Sequence, residues 1–270
     1  MKTTFLDADF VLKTTAVKDD KKISVFDKVM ELDHDFFICK KVLYEIKSQS
    51  QEAFDVVTSY VMQDKISVVD YISCLKLLSA AFKNLAISIF LSDFKDIIES
   101  FDGSSDLYDN YFSSLEIYAQ IKNIASFAED FENALRQVPA GSSMGELLTI
   151  LMLKIYHRCG FQELYGFMSD DGDARAAATN VLEALQTYNC SSVFILLKAF
   201  GLSYEKAEKF AINWDLKQGI RKVIFFEQDR RFTHNNQYDF IVDLYQNGNY
   251  KIRRIGYPER VSWLYYLNIK

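Results

Sequence analysis

The sequence predicts an α/β protein with helix in excess: a central parallel sheet between two layers of helices, α/β/α in all. Three observations predict it. Two prolines and ten glycines in 270 residues are too few for a turn-rich all-β chain. Short apolar runs such as Thr3-Thr4-Phe5-Leu6-Asp7 end in a carboxylate, as a buried parallel strand does at its carboxyl edge. Between such runs lie long stretches with apolar residues at helical spacing.

Taken in order, residues 3–7 form the first strand. Helices are predicted over 26–32 and 41–60, the second carrying Val42, Ile46, Ala53 and Val57 near one face, and 65–69 is a second strand. This is the β-α-α-β opening of a parallel sheet. Residues 70–137 read as helical throughout, broken at Asp102-Gly103-Ser104-Ser105-Asp106. A helix begins near Ser143, a third strand spans Leu164–Met168, and an Ala-rich helix over 173–186 opens with acids that suit its dipole. Residues 192–197 read as a fourth strand, and Ser203 caps a closing helix to 212.

Beyond Trp214 the texture changes. Residues 222–226, 238–245 and 250–255 read as strands, with Gln246-Asn247-Gly248-Asn249 as a hairpin turn between the last two, so a small antiparallel β-appendage is expected. The expected division is a main domain over 1–212, with a helical insertion at about 70–137, and a basic, aromatic-rich appendage over 213–270. From Lys217 onward ten Lys/Arg face five Asp/Glu, a net of +5 in a chain whose total is −6. No internal repeat or low-complexity tract is present.

The totals exclude several classes. A chain 49% hydrophobic and 25% charged can bury a large core. It lacks a run of about 18 uncharged apolar residues, and its N-terminus lacks a signal-peptide core, so a cytoplasmic protein without a membrane span is expected. Cys39, Cys74, Cys159 and Cys190 form no CxxC pair and read as buried thiols. His34, His157 and His234 show no metal-ligand spacing, and no phosphate-cradling glycine loop occurs.

Four segments put a carboxylate where a strand ends or a helix begins: Leu6-Asp7-Ala8-Asp9, Tyr44-Glu45-Ile46, Gly145-Glu146-Leu147-Leu148 and Ser169-Asp170-Asp171-Gly172-Asp173-Ala174-Arg175. Their order and local sequence resemble a PIN domain over about residues 3–212. That family opens with a hydrophobic strand running into Asp-x-Asn/Asp. It then carries a Glu in an early helix, a Gly-Glu at a later helix start, and a Thr/Ser-x-Asp segment often followed by Ala-Arg. The resemblance implies a metal-dependent nuclease with Asp7, Glu45, Glu146 and Asp171 as the catalytic acids. It implies that Asp7, Glu146, Asp171 and, in the outer shell, Asp173 hold Mg²⁺ or Mn²⁺, hard cations that prefer several carboxylate oxygens. Ser169 would orient Asp171 or touch phosphate, and Arg175 would pair with an acid or with substrate. The implied partner is a nucleic acid, RNA ahead of DNA, with an antitoxin or other protein and a homo-oligomer left open. The 45-to-146 gap exceeds that of a compact member, which marks the insertion.

Other readings stand beside this one. Ser143-x-x-Glu146 matches a capping box, Glu45 would face solvent on any amphipathic helix, and helix starts favour acids such as those at 170–173. Asp7-Ala8-Asp9-Phe10-Val11 also resembles the opening of haloacid-dehalogenase-type phosphatases. In that reading Asp7 is a nucleophile, Asp9 the general acid/base, and Lys154 the phosphate-binding lysine, while Glu45 and Glu146 have no role. A third reading is a non-catalytic PIN-like scaffold. In it, Phe225, Phe226, Phe232, Tyr238, Tyr245 and Tyr250 lie among Arg221, Arg230, Arg231, Arg253 and Arg254 and bind nucleic acid, Arg253 and Arg254 foremost. The bland alternative is an amphipathic β-appendage packed on the main domain.

Overall fold

Strand β1 (Lys2–Leu6) lies at the centre of a five-stranded, all-parallel sheet of order β3-β2-β1-β4-β5, with β2 (His34–Cys39), β3 (Ile66–Val69), β4 (Leu164–Met168) and β5 (Gln186–Tyr188). Thr3, Thr4, Phe5 and Leu6 are all buried although successive side chains point to opposite faces, so both faces of the sheet are covered. This computed structural model describes residues 2–139, 141–160, 164–182, 185–227, 230–248, 250–256 and 261–267. The side chains of 102, 165, 225–227, 230, 251–256 and 261–267 are outside that description.

Helices α1 (Ala8–Ala16) and α2 (Val25–Val29) join β1 to β2, and α3 (Lys40–Gln49) and α4 (Gln51–Met62) join β2 to β3. Then come α5 (Tyr71–Phe82), α6 (Ala86–Asp102), α7 (Asp106–Tyr111), α8 (Tyr118–Ile121), α9 (Ile124–Gln137) and α10 (Met144–Arg158), which leads into β4. Helix α11 (Gly172–Val181) joins β4 to β5, and α12 (Val193–Ala199) and α13 (Tyr204–Gln218) follow. On one face Phe5 stacks on Phe37 at 5.4 Å and meets Tyr156 of α10 edge-on at 5.7 Å. On the other, Thr4 Oγ1 meets His34 Nδ1 at 3.0 Å, and that imidazole lies against Phe200 beyond α12.

The expected insertion over 70–137 is helical, as predicted. Phe90, Phe94, Phe112, Phe127 and Phe131 are fully buried and pack edge to face, giving it an aromatic core of its own. Buried Asp93 on α6 takes two hydrogen bonds from Arg158, at 3.0 and 2.7 Å, and an ion pair from Lys154 at 3.0 Å, which pins the insertion to α10. Residues Tyr71–Phe101 have the length and composition to cross a membrane, but they bend at Lys83 (φ 51) and bury Leu75, Leu78, Phe90, Phe94, Ile97 and Ile98.

The C-terminal part carries β6 (Val223–Glu227), β7 (Arg230–His234), α14 (Gln237–Gln246), β8 (Tyr250–Gly256) and β9 (Val261–Leu267). Antiparallel pairs β6–β7 and β8–β9 are joined by a short parallel contact of β6 with β9. Several expectations are corrected. Residues 192–197 and 238–245 are not strands but lie in α12 and α14, so the turn at 246–248 leads from a helix into β8 and closes no hairpin; Asn249 is outside the described residues. Helix α14 forms because Asn236 caps Asp239 N–H at 2.7 Å and Asp215 accepts from Gln237 and Tyr238 N–H, each at 3.0 Å. The sheet also contains β2, between the first two strands expected, and the expected 41–60 helix breaks at Ser50, which caps α4. The division expected after 212 falls inside α13.

Candidate active site

In this sheet β2 and β3 lie on one side of β1 and β4 and β5 on the other, so the topology reverses between β1 and β4. Ligands of open parallel sheets bind in the crevice outside the carboxyl ends of the strands at such a point. Asp7 follows β1 and Ser169 follows β4. Asp7 N–H donates to Met168 O at 2.9 Å, and Ser169 N–H donates to Tyr188 O at 3.0 Å, which fixes both residues to the sheet edge.

The Asp7 side chain is fully buried. Its Oδ2 accepts from Ser169 Oγ at 2.9 Å, and its Oδ1, also buried, has no hydrogen-bond partner among the described residues. A buried carboxylate oxygen without a donor is costly. Burial and the nearby Glu146 charge push the Asp7 carboxyl up to about 7, while the Ser169 hydrogen bond and the Ala8 main-chain N–H pull it down.

Glu146 is the hub of the acids. Its charge acts on Asp7 and on Glu45, and it is itself raised by burial and by the charges of Asp171 and Asp9, while its own main-chain N–H on the first turn of α10 lowers it. The capping box that Ser143-x-x-Glu146 matches does not form: Ser143 is left-handed (φ 51) and its side chain caps nothing, so Glu146 is free of that duty. Glu45, half-buried on the second turn of α3, is pushed up to about 7 by burial and by Glu146, with Lys41 and the Gly145 N–H acting the other way. Its carboxylate occupies the space beside Gly145. A Cβ there would overlap Oε2 and stand 2.9 Å from Oε1, so the Gly of Gly-Glu is what admits Glu45 to the start of α10.

Asp171 performs the capping role that its position also suggested: Oδ1 accepts from Asp173 N–H at 2.7 Å and Ala174 N–H at 2.8 Å at the start of α11. Asp173 is exposed on that first turn. Ser169 is fully buried; besides donating to Asp7 its Oγ accepts from Asp171 N–H at 3.1 Å, so it links two of the acids and is closed to substrate. Arg175 donates to the Ser169 carbonyl at 2.7 Å and so holds the turn after β4. Arg253 and Arg254 lie on β8, with side chains outside the described residues.

Lys13 was not singled out in the sequence, although its i,i+4 spacing from Asp9 on α1 was visible there. It is paired with Asp9 at 2.9 Å and with Asp170 at 2.6 Å. Burial raises the Asp170 carboxyl, but Lys13, the Cys190 N–H and the Arg175 charge together outweigh burial and hold it below the usual range; Arg221 adds a pair at 3.3 Å. Lys154 stands in ion pairs with Asp93 and Asp96 of the insertion. Of the tail aromatics, Tyr238 and Tyr245 hydrogen-bond to Glu208 and Leu202 O, and Tyr250 is buried against His234 and Asp243. These three are packing residues, and Phe232 is exposed.

The structure therefore places Asp7, Glu45 and Asp171 each within reach of the Glu146 charge, at the carboxyl edge of the sheet. Among the described residues no three His, Cys, Asp or Glu side chains stand close enough to enclose a metal ion. The donor chemistry fits a hard divalent cation, being carboxylate oxygen throughout, with one buried oxygen of Asp7 lacking any partner. No family model matches the chain, and neither does any curated protein or solved structure.

Proposed function

We propose that this chain is a Mg²⁺- or Mn²⁺-dependent nuclease of the PIN-like kind, acting on cytoplasmic RNA as an endonuclease. The observation that carries the reading is the Asp7 carboxylate: fully buried, half unpartnered, and set at the switch point with three further acids around it. Such a group is costly as a carboxylate unless a proton or a cation completes it.

Asp7, Glu146 and Asp171 would hold the cation by closing on it from the more open arrangement of the metal-free chain, with Glu45 as a fourth carboxylate behind them. When bound, the cation supplies a water of lowered pKa and offsets charge growing on the phosphate and the leaving oxygen. The protein's own part is positional. Ser169 fixes Asp7 to Asp171, Arg175 fixes Ser169 through its carbonyl, and Gly145 lets Glu45 reach the edge. Lys13 pairs with Asp9 and Asp170, which limits what those two acids add to the repulsion at the site, although the Asp9 charge still acts on Glu146 and Asp7.

The phosphatase reading is the weaker one, because its phosphate lysine, Lys154, is held by Asp93 and Asp96, and its acid/base, Asp9, is held by Lys13. The test is incubation of the purified chain with labelled RNA, labelled single-stranded DNA and a small phosphate monoester, each with and without Mn²⁺. Mn²⁺-dependent cleavage of RNA that Asp7→Asn abolishes supports the proposal. Turnover of the monoester alone defeats it.

A further inference from the structure

Beside the acids, toward β2 and β3, the sheet edge opens into a cleft of about 480 Å³. Its floor is Leu148 and Met152, both buried on α10 beyond Gly145. One wall is the start of α3, with Lys40, Lys41 and Tyr44; another is α9 of the insertion, with Leu135 and Arg136. Lys41, Tyr44 and Glu45 fall at i, i+3 and i+4 on one side of α3, so the wall of this cleft runs directly into the acid site.

The chemistry of the cleft is specific. Tyr44 is 56% exposed, and its hydroxyl has no hydrogen-bond partner among the described residues. Lys40 and Lys41 are exposed and form no ion pair there. The two acids in the cleft are occupied: Asp70 caps Ser73 of α5 at 2.8 Å, and Glu132 accepts from Tyr71 at 2.9 Å and pairs with Arg136 at 3.5 Å. What remains is an open aromatic ring between an apolar floor and two exposed lysines, of which Lys41 also acts on Glu45, in a volume that suits a small ligand and is too small for a double helix. An aromatic platform flanked by cations is how proteins hold a base and its phosphates without reading a paired groove.

We propose that this cleft takes one or two nucleotides of a single-stranded nucleic acid, with a base stacked on Tyr44 and the flanking phosphates on Lys40 and Lys41. The strand continues past Glu45 to place its scissile phosphate at Asp7. The direction of the strand rests on the nuclease reading; the binding does not. The helical insertion thereby acquires a job, since α9 closes the side of the cleft that the sheet edge would leave open.

The test is fluorescence anisotropy with a labelled oligouridylate of about ten nucleotides, the matching oligothymidylate and a duplex of the same length, all in EDTA so that nothing is cut. Tyr44→Ala should weaken single-strand binding about tenfold or more, and Tyr44→Phe should restore it to within about twofold. Lys40→Ala/Lys41→Ala should lower the slope of log K against log salt by about 1.4. Both sites are exposed, so circular dichroism should report an intact fold. Binding by Tyr44→Ala and by the double variant that equals wild type, or a duplex that binds tighter than the single strands, overturns the proposal. If Mn²⁺-dependent cleavage is present while both variants bind normally, the cleft fails and the nuclease stands. If both variants lose binding in a protein that cuts nothing, the nuclease fails and the cleft stands.

Discussion

The Glu45 carboxylate fills the position that a side chain on residue 145 would take, so a helix start from late in the chain is shaped around an acid 100 positions earlier. Gly145→Ala should therefore act through Glu45. Alanine raises helix propensity by about 1 kcal/mol over glycine, and the group displaced is the far end of a flexible side chain, so the fold should survive with little change in Tm. Mn²⁺-dependent RNA cleavage should fall by about tenfold or more. Wild-type turnover in a normally folded Gly145→Ala would remove Glu45 from the site.

Ser169→Ala takes the donor from Asp7 Oδ2 and the acceptor from Asp171 N–H together. Leaving those buried groups unpaired should cost about 1–3 kcal/mol, read as a lowered urea midpoint at unchanged m. The Ser169 bond lowers the Asp7 carboxyl, so its loss should raise that carboxyl further and move the acid limb of the pH–activity profile upward. An unmoved limb with lowered stability would make Ser169 a packing residue only.

Asp7 and Glu45 both titrate near 7 in the folded, metal-free chain, against 3.8 and 4.5 unfolded. The folded state then binds more protons than the unfolded one between about pH 4 and pH 7. Stability should fall as pH rises through that window, by a few kcal/mol for buried Asp7. Thermal melts in EDTA should show Tm decreasing from pH 5 to pH 8, and Asp7→Asn should flatten the decrease. Mn²⁺ at pH 8 should restore the wild-type Tm by mass action and leave that of Asp7→Asn where it was.

Much of the edge that carries these acids is legible in the sequence, because a carboxylate after an apolar strand and a Gly-Glu at a helix start are local signals. What joins them is not local. Nothing near Gly145 announces that Glu45 lies against it, and nothing near Ser169 announces Asp7. The misread elements have a similar cause. Val193–Leu197 is an unbroken apolar run, which periodicity alone assigns to strand or helix equally well, and burial on α2 and α14 leaves it helical. Gln237–Gln246 has β-formers at alternate positions, but Asn236 and Asp215 cap its first turn, and Asp215 is 22 residues before Gln237 in the chain. Strand β2, HDFFIC, has no Gly or Pro at either end and carries Phe36, Phe37 and Ile38 in succession, so neither alternation nor punctuation marks it.

Lys154 separates an anchor from a phosphate ligand. It supports Asp93 alongside Arg158, which keeps its two bonds when Lys154 is lost, so Lys154→Met should cost about 1 kcal/mol or less and leave cleavage intact. Asp93→Ala removes both Arg158 bonds as well and should cost about 1–3 kcal/mol, read as a drop in the urea midpoint. A chain that loses all turnover in Lys154→Met while remaining folded would point to phosphate binding at that lysine.

The two enzyme readings differ most at Glu146 and Asp9. Glu146→Gln keeps side-chain volume and removes the charge that acts on Asp7 and Glu45. Without that charge these two carboxyls should titrate lower and the metal-free fold should be held or slightly stabilised. A cation would lose one ligand, so Mn²⁺ affinity by calorimetry and RNA turnover should both drop by about 100-fold or more. Asp9, about half exposed and paired with Lys13, sits outside the buried set, so Asp9→Asn should change turnover by less than about fivefold. A phosphatase reverses both outcomes, since its Asp9 must deliver a proton to the leaving group and its Glu146 has no chemical role. Full activity in Glu146→Gln together with a dead Asp9→Asn would defeat the nuclease reading. Loss in Glu146→Gln that excess Mn²⁺ partly restores, with Asp9→Asn near wild type, would assign the hub of this acid cluster to the cation.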